Sequence, residues 1–363
     1  MMPPQIAFSQ TRKFIGTSCL RPRLAMLALN TAATLSLATT TPRTVVVAGA
    51  TGRSGRLVVE ELLRTPQTQV RALVRNASKA ADVLPTHPDL SLFQCDLSET
   101  TDAVVKEACT SASGLIWCAS GFTGDGESLD CKGMQEFSKG LQEAGSTDAR
   151  LVMLSSAGVT RTEWDDAKSA ALVGAADIPI IRLNPGKILD KKREAEELLR
   201  TSGVPYCVVR PTGLKEDWPA GRPILSQGDV AVGRTTPTDL ASVLVSAVSE
   251  PNAAGKTFEM FTLAGYPAPS DGLATALAGL TPDAAGPPPE ARVYASYELL
   301  QQLLPGEAQD ATRLEMGRTY EQVDRGEVSR ERGAAPTERE KAVASAALDS
   351  ITTPRKKRFF GLF

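Results

Sequence analysis

The residues best suited to chemistry lie early in the chain, in the run Gly49-Ala50-Thr51-Gly52-Arg53-Ser54-Gly55. Three glycines at intervals of three stand between the apolar TVVVAG and the amphipathic SGRLVVEELLR, a pattern of strand, tight turn and helix. A turn of that kind holds the phosphates of a dinucleotide. Gly49 permits the sharp exit from the strand, Gly52 lets the backbone approach a pyrophosphate, and Gly55 lets the helix lie close on the strand. Thr51 stands before the second glycine. The free N–H groups and the positive end of the helix beginning near Ser54 then face the phosphates. The plainer alternative is a structural turn that needs glycine only for its positive φ.

The end of the second strand chooses between cofactors. NAD-binding proteins of this kind place an acid there, which accepts hydrogen bonds from the ribose 2′-hydroxyl. Here LVRNASK supplies Arg75, Asn76 and Lys79, with no acid before Asp82, and Arg53 in the glycine turn could reach the same phosphate. A single charge-assisted contact worth roughly 1.5–3 kcal/mol would favour NADP(H) by tenfold or more. NADP(H) is the expected cofactor.

Other chemistries lack their parts. The one histidine, His87, lies between prolines in LPTHPDL, which removes most Ser-His-Asp, Cys-His and multi-histidine metal mechanisms. Six cysteines contain no C-x-x-C; Cys95, Cys118 and Cys207 sit in apolar runs, where cysteine behaves as a small hydrophobe. No metal site is expected. A net charge of -2 offers no footprint for nucleic acid, so the expected partner is a small-molecule substrate.

Positioning these residues falls to an alternation that runs from 44 to 262. QVRALVR, LSLFQCD, GLIWCAS, RLVMLSS and YCVVR are short, apolar and rich in β-branched residues, as strands buried on both faces are. Amphipathic stretches such as DAVVKEACT lie between them. The expected fold class is therefore α/β, a doubly wound parallel sheet. TDLASVLVSAVSE adds a late helix and KTFEMFT a last strand. Residues 215–239 after the sixth strand leave room for a small substrate lobe.

The two ends differ in character. Residues 1–43 contain no Asp or Glu, and carry Arg12, Lys13, Arg21, Arg23 and Arg43 among many hydroxyl residues, the composition of an organelle transit peptide. A secretory apolar segment and a presequence without an address are the alternatives. Residues 264–363 form an expected C-terminal extension of short helices and tail. It contains a Pro/Gly-rich break at 282–294 and ends in PRKKRFFGLF, whose four basic residues beside three phenylalanines suit peripheral contact with an anionic membrane, or simple solvation.

The glycine turn, CDL at 95–97, MLSSAGV at 153–159 and KKREAEELLRTSGVPYCVVRPTGL at 191–214 together resemble the atypical, extended-like short-chain dehydrogenase/reductases, including the NmrA-like NAD(P)-binding proteins. The resemblance covers about 44–263 and looks strongest to the plastid members of that group. It implies a Rossmann fold and a plastid location, with mitochondrion or cytoplasm as alternatives. It also implies that Asp96 and Leu97 flank the adenine. Ala119 and Ser120 would follow the fourth strand near the cofactor. Ser155 and Ser156 would end the fifth on the nicotinamide side, and Pro211, Thr212 and Gly213 would follow the sixth beside it.

In the wider family a tyrosine supplies the proton for hydride transfer, and a lysine four residues later supports it on the same helix face. Lys192 falls on the lysine position and Ile188 on the tyrosine position. Isoleucine cannot exchange a proton, so the usual pair is incomplete, and Lys192 and Ser155 are the remaining catalytic candidates. Two expectations stay open: an NADPH-dependent reductase of a small organic substrate, and a non-catalytic NADP(H)-binding redox sensor or assembly factor at an organelle membrane.

Overall fold

The computed structural model describes residues 42–303, apart from residues 179, 182, 183 and 271. The expected presequence up to residue 41 and the tail from residue 304, with its basic-aromatic end, lie outside the described residues. No helix among the described residues is long and apolar enough to cross a membrane.

Seven strands run parallel: β1 (Arg43–Ala48), β2 (Thr68–Val74), β3 (Leu90–Gln94), β4 (Ala112–Trp117), β5 (Arg150–Leu154), β6 (Tyr206–Pro211) and β10 (Lys256–Ala264). An eighth, β8 (Gly221–Ser226), pairs antiparallel with β10, and the spatial order is β3-β2-β1-β4-β5-β6-β10-β8. β7 (Gly213–Leu214) and β9 (Arg234–Thr235) make a separate two-stranded ribbon. Reversal of strand order between β1 and β4 creates the crevice in which sheets of this class bind ligands.

Both faces of the sheet are covered, which is why its strands read as continuous apolar runs. One face packs α1 (Arg53–Arg64), the helix Pro237–Ser249 and Leu273, Leu277 and Leu280 over Val45, Val47, Ile116 and Val209. The other packs α3 (Asp102–Cys109), α4 (Leu129–Glu143) and the helix Ile188–Thr201 over Val46, Leu115, Met153 and Val208. Counting in chain order, with α2 (Ala77–Ala81), α5 (Asp166–Ala171) and α6 (Val173–Ala176) between, these two later helices are α7 (Ile188–Thr201) and α8 (Pro237–Ser249).

The segment 215–239 does two things. It supplies the ribbon partner β9, and it supplies β8, which pairs with the part of β10 that extends past β6 and so shields an otherwise open edge. Residues past 264 also pack on the domain. α9 (Ala274–Ala278) lies on the sheet, and α10 (Glu290–Leu303) inserts Val293 and Leu300 beside Leu172, Val230 and Phe261.

Candidate functional site

The glycine turn has the shape its spacing calls for. Gly49 has φ +72°, in the left-handed region, and a Cβ there would lie 2.7 Å from the Ala119 nitrogen. At Gly55 the approach is closer still, because a Cβ would lie 2.1 Å from the Gly49 carbonyl oxygen. The Gly52 N–H closes the turn on Gly49 O at 3.0 Å. Gly52 is the N-cap of α1 and has no side chain to cap it, and the first turn carries no acid. Arg53, Ser54 and Gly55 therefore present the N–H groups that a helix start leaves without an intrahelical partner. A narrow, uncapped, acid-free helix start fits a pyrophosphate.

The flanking charges are arranged around this turn. Arg53 is exposed and pairs at 3.9 Å with Glu216, on the loop between β7 and β8. Arg75 follows β2 and is exposed, while Asn76 caps α2 by accepting from the Lys79 N–H. Asp96, just past β3, accepts from the Ser98 hydroxyl and N–H. These bonds, and to a smaller degree nearby Arg75, hold its carboxyl below the usual range. Leu97 packs on the sheet face that carries α3 and α4.

At the far side of the crevice the strand ends converge on a polar cluster. Lys192 on α7 is buried and donates to Asp130 Oδ1 and to Leu154 O, each at 3.2 Å. Ser120 donates to Asp130 Oδ2 at 3.1 Å. Ala119, one residue earlier, touches the same core face as Leu97. Asp130 was not among the residues singled out from sequence, although it joins two that were. Burial pushes the nearby Cys118 thiol up to about 12, against the weaker opposing pull of Lys192.

Ser155 is turned to a different partner. Its hydroxyl donates to Glu196 Oε1 at 2.5 Å, and Glu196 in turn takes both Arg210 Nε (2.9 Å) and Arg210 Nη2 (2.6 Å). Burial works to raise the Glu196 carboxyl, but Arg210, Arg200 and the Ser155 hydroxyl outweigh it and hold it below its ordinary value. Ser156 donates to its neighbour's carbonyl, Ala157 O, at 3.0 Å. Pro211 ends β6. Thr212 Oγ1 meets Thr235 Oγ1 at 3.0 Å, and Gly213 is exposed at the start of β7.

Two described tyrosine hydroxyls are engaged by partners of their own. Tyr206 donates to Asp283 at 3.1 Å, and Tyr297 accepts from the Gly174 N–H at 2.9 Å. Ile188 opens α7, after Gly186 and Lys187 in the left-handed region, and Asn184 Oδ1 accepts from the Leu189 N–H at 2.9 Å.

Residues 49–251 match the model of a family described as NAD(P)H-binding, and the chain belongs to that family. An uncharacterised chloroplastic protein of Arabidopsis thaliana is 30% identical over 232 residues, which span 61% of this chain and 78% of that protein. Protein TIC 62, chloroplastic, of Pisum sativum is 31% identical over 192 residues, 47% of this chain but only 33% of the pea protein. Among solved structures, an NAD-dependent epimerase/dehydratase-like protein of Bacillus halodurans superposes with TM-score 0.51 at 22% identity, over 66% of this chain and all of that one. This likeness supports the Rossmann-type fold.

Proposed function

We propose that this member of the NAD(P)H-binding family binds NADP(H) in the crevice between β1 and β4 and is an NADPH-dependent reductase of a small organic substrate, working in the plastid. The observation that supports the reading is the acid-free cradle at Gly49–Gly55, whose Gly49 packs against Ala119, the residue before Ser120 of the Lys192 cluster. Arg53 and Arg75, with no acid after β2 until Asp82, favour a 2′-phosphate over a bare ribose. The chloroplastic relatives and the cationic, acid-free first 43 residues support the location.

In this reading the N–H groups of Arg53, Ser54 and Gly55, with Thr51 in the turn, hold the pyrophosphate. Asp96 and Leu97 border the adenine. Ala119, Ser120, Pro211, Thr212 and Gly213 border the nicotinamide side. When bound, the cofactor supplies a hydride. Lys192 offers an ammonium N–H to the ribose and to negative charge that develops on a reduced carbonyl. Ser155 braces the end of β5 through Glu196.

The test is a titration of NADPH and NADH against wild type and Arg75→Ala. A wild-type preference for NADPH that shrinks in the variant supports the assignment, and equal wild-type affinities reject it. A substrate panel monitored by nicotinamide absorbance then separates the functions, with turnover lost in Lys192→Ala marking a reductase. The second reading is a non-catalytic NADP(H) sensor or assembly factor, favoured by Ile188 and by the commitment of Ser155 to Glu196. Tight NADPH binding without turnover across the panel selects it. Pelleting with anionic liposomes, with and without residues 354–363, tests peripheral membrane contact.

A further inference from the structure

Asp130 lies in the first turn of α4 with no exposed surface, and three donors from three other parts of the chain converge on its carboxylate. Trp117 Nε1, at the end of β4, and Lys192 Nζ, on α7, both reach Oδ1 at 3.2 Å, and Ser120 Oγ reaches Oδ2 at 3.1 Å. Gly133, one turn along α4, makes room for the indole: a Cβ there would lie 2.1 Å from Trp117 Cη2. An acid in the first turn of a helix is favourable at the surface, without any partner. Taken out of water, the same carboxylate is costly unless it is paired and fully hydrogen-bonded, and here it is.

The arrangement constrains Lys192 more than it constrains Asp130. An ammonium has three N–H donors on a flexible stem. Asp130 and Leu154 O take two of them, and the side chain retains 10% of its surface exposed. One N–H therefore remains, in an orientation set by the other two. In a Tyr-x-x-x-Lys pair a tyrosine hydroxyl stands one turn before the lysine; here that place is held by Ile188, which offers no polar atom.

We propose that Asp130 is the positioning residue of this site: with Leu154 O it holds the Lys192 ammonium and leaves that lysine a single N–H for the nicotinamide-side ribose. This rests on the proposed binding of NADP(H) and says how the chain orders its own donors for it. Ordering is completed when the protein folds, so the cofactor meets a lysine that has already lost its rotational freedom. The adenine end of the crevice lies outside this effect.

The test uses two ligands, NADPH and adenosine 2′,5′-bisphosphate, titrated calorimetrically against wild type, Asp130→Asn, Lys192→Met and the double variant. Each single change is expected to weaken NADPH by about tenfold, the scale of one well-placed charge-assisted bond. The double variant is expected to bind NADPH no worse than Lys192→Met, because Asp130 acts only through that lysine. Affinity for the bisphosphate, which occupies only the adenine end, is expected to stay unchanged throughout. Losses that multiply to about a hundredfold in the double variant, wild-type NADPH affinity in Asp130→Asn, or parallel loss of both ligands would each overturn the proposal. Asp130→Asn leaves a buried ammonium without its counter-charge; should it fail to fold, the comparison of Lys192→Met with the double variant decides. Equal NADPH affinities there support the proposal and a further tenfold loss sinks it. A wild type that binds neither ligand refutes the cofactor reading itself, whereas binding with multiplicative losses refutes only the role of Asp130.

Discussion

The stability of this fold is expected to fall as pH rises from about 4.5 to about 7, and one buried carboxyl, Glu259, is the reason. It lies on β10, opposite Arg210 of β6 and Ser226 of β8, with no exposed surface. Oε2 accepts from Ser226 Oγ at 3.0 Å and from the Val230 N–H at 3.2 Å, while Oε1 has no hydrogen-bond partner among the described residues. Burial, and after it the neighbouring Asp229 carboxylate, raise the group from 4.5 to about 7, although Arg210 and Arg161 pull the other way. Asp229 itself is held low, since Arg161, Arg210 and the N–H groups of Gly158 and Thr160 outweigh its burial.

The sign follows from which state holds the proton. Below about pH 4.5 both folded and unfolded chains keep Glu259 protonated, and its contribution is complete. Between there and about pH 7 the unfolded chain releases the proton while the folded chain keeps it, so stability declines; above that range the loss is constant. The span of about 2.5 units corresponds to about 3 kcal/mol. Glu259→Gln keeps an acceptor for Ser226 and Val230 but cannot ionise. Urea unfolding of both proteins at steps from pH 5 to 8, followed by tryptophan fluorescence, should show the variant gaining on wild type by about 2–3 kcal/mol across the series. Groups common to both proteins cancel in that difference. A difference that is flat with pH would refute the reasoning.

Gly55→Ala places a methyl group against the Gly49 carbonyl oxygen, where neither backbone can yield, and should lower stability by about 1–3 kcal/mol and NADPH affinity by more than about tenfold; the check is thermal unfolding beside ligand titration. Glu196→Ala strands the buried Arg210 guanidinium and should cost about 3–5 kcal/mol in chemical unfolding, with much of that recovered when Arg210→Met is added. Glu216→Gln frees Arg53 from an exposed pair worth under about 1 kcal/mol, and so should tighten NADPH binding by up to about fivefold. Weaker binding in that variant would show that Glu216 supports the site instead of competing for Arg53.

The parallel strands were legible because burial on both faces writes them as unbroken apolar runs, and the first helix because a glycine turn and a steady apolar stripe mark it. β8 was not. GRPILS is short, contains Pro223 and is only half-buried, so it carries neither a continuous run nor a clean alternation. α10 was visible as a helical run, but its docking depends on Leu172 and Val230, which are distant in sequence. The buried charges were the least legible part. KKREAEELL reads as a solvated helix face, yet Lys192 and Glu196 share the inward face with Leu189, Ala195 and Leu199. Their spacing was the available signal: both fall on the apolar stripe. Arg210 and Glu259 give the same signal in strands, as charges inside runs that are otherwise buried.

That inward face of α7 explains how one helix can order several strand ends at once. Lys192 reaches the end of β5 through Leu154 O, and the end of β4 through Asp130, Trp117 and Ser120. One turn later Glu196 reaches Ser155 beyond β5 and Arg210 on β6. Three neighbouring strands are thus tied to two side chains spaced i, i+4, and both charges are countered within the fold. Shifting α7 by one residue would take both charges out of register with their partners and leave them buried and uncompensated, so the helix is held in register as well as packed. Such a frame suits a cofactor that must meet fixed donors. Ile188 lies a full turn before Lys192 and is not among the partners of either charge.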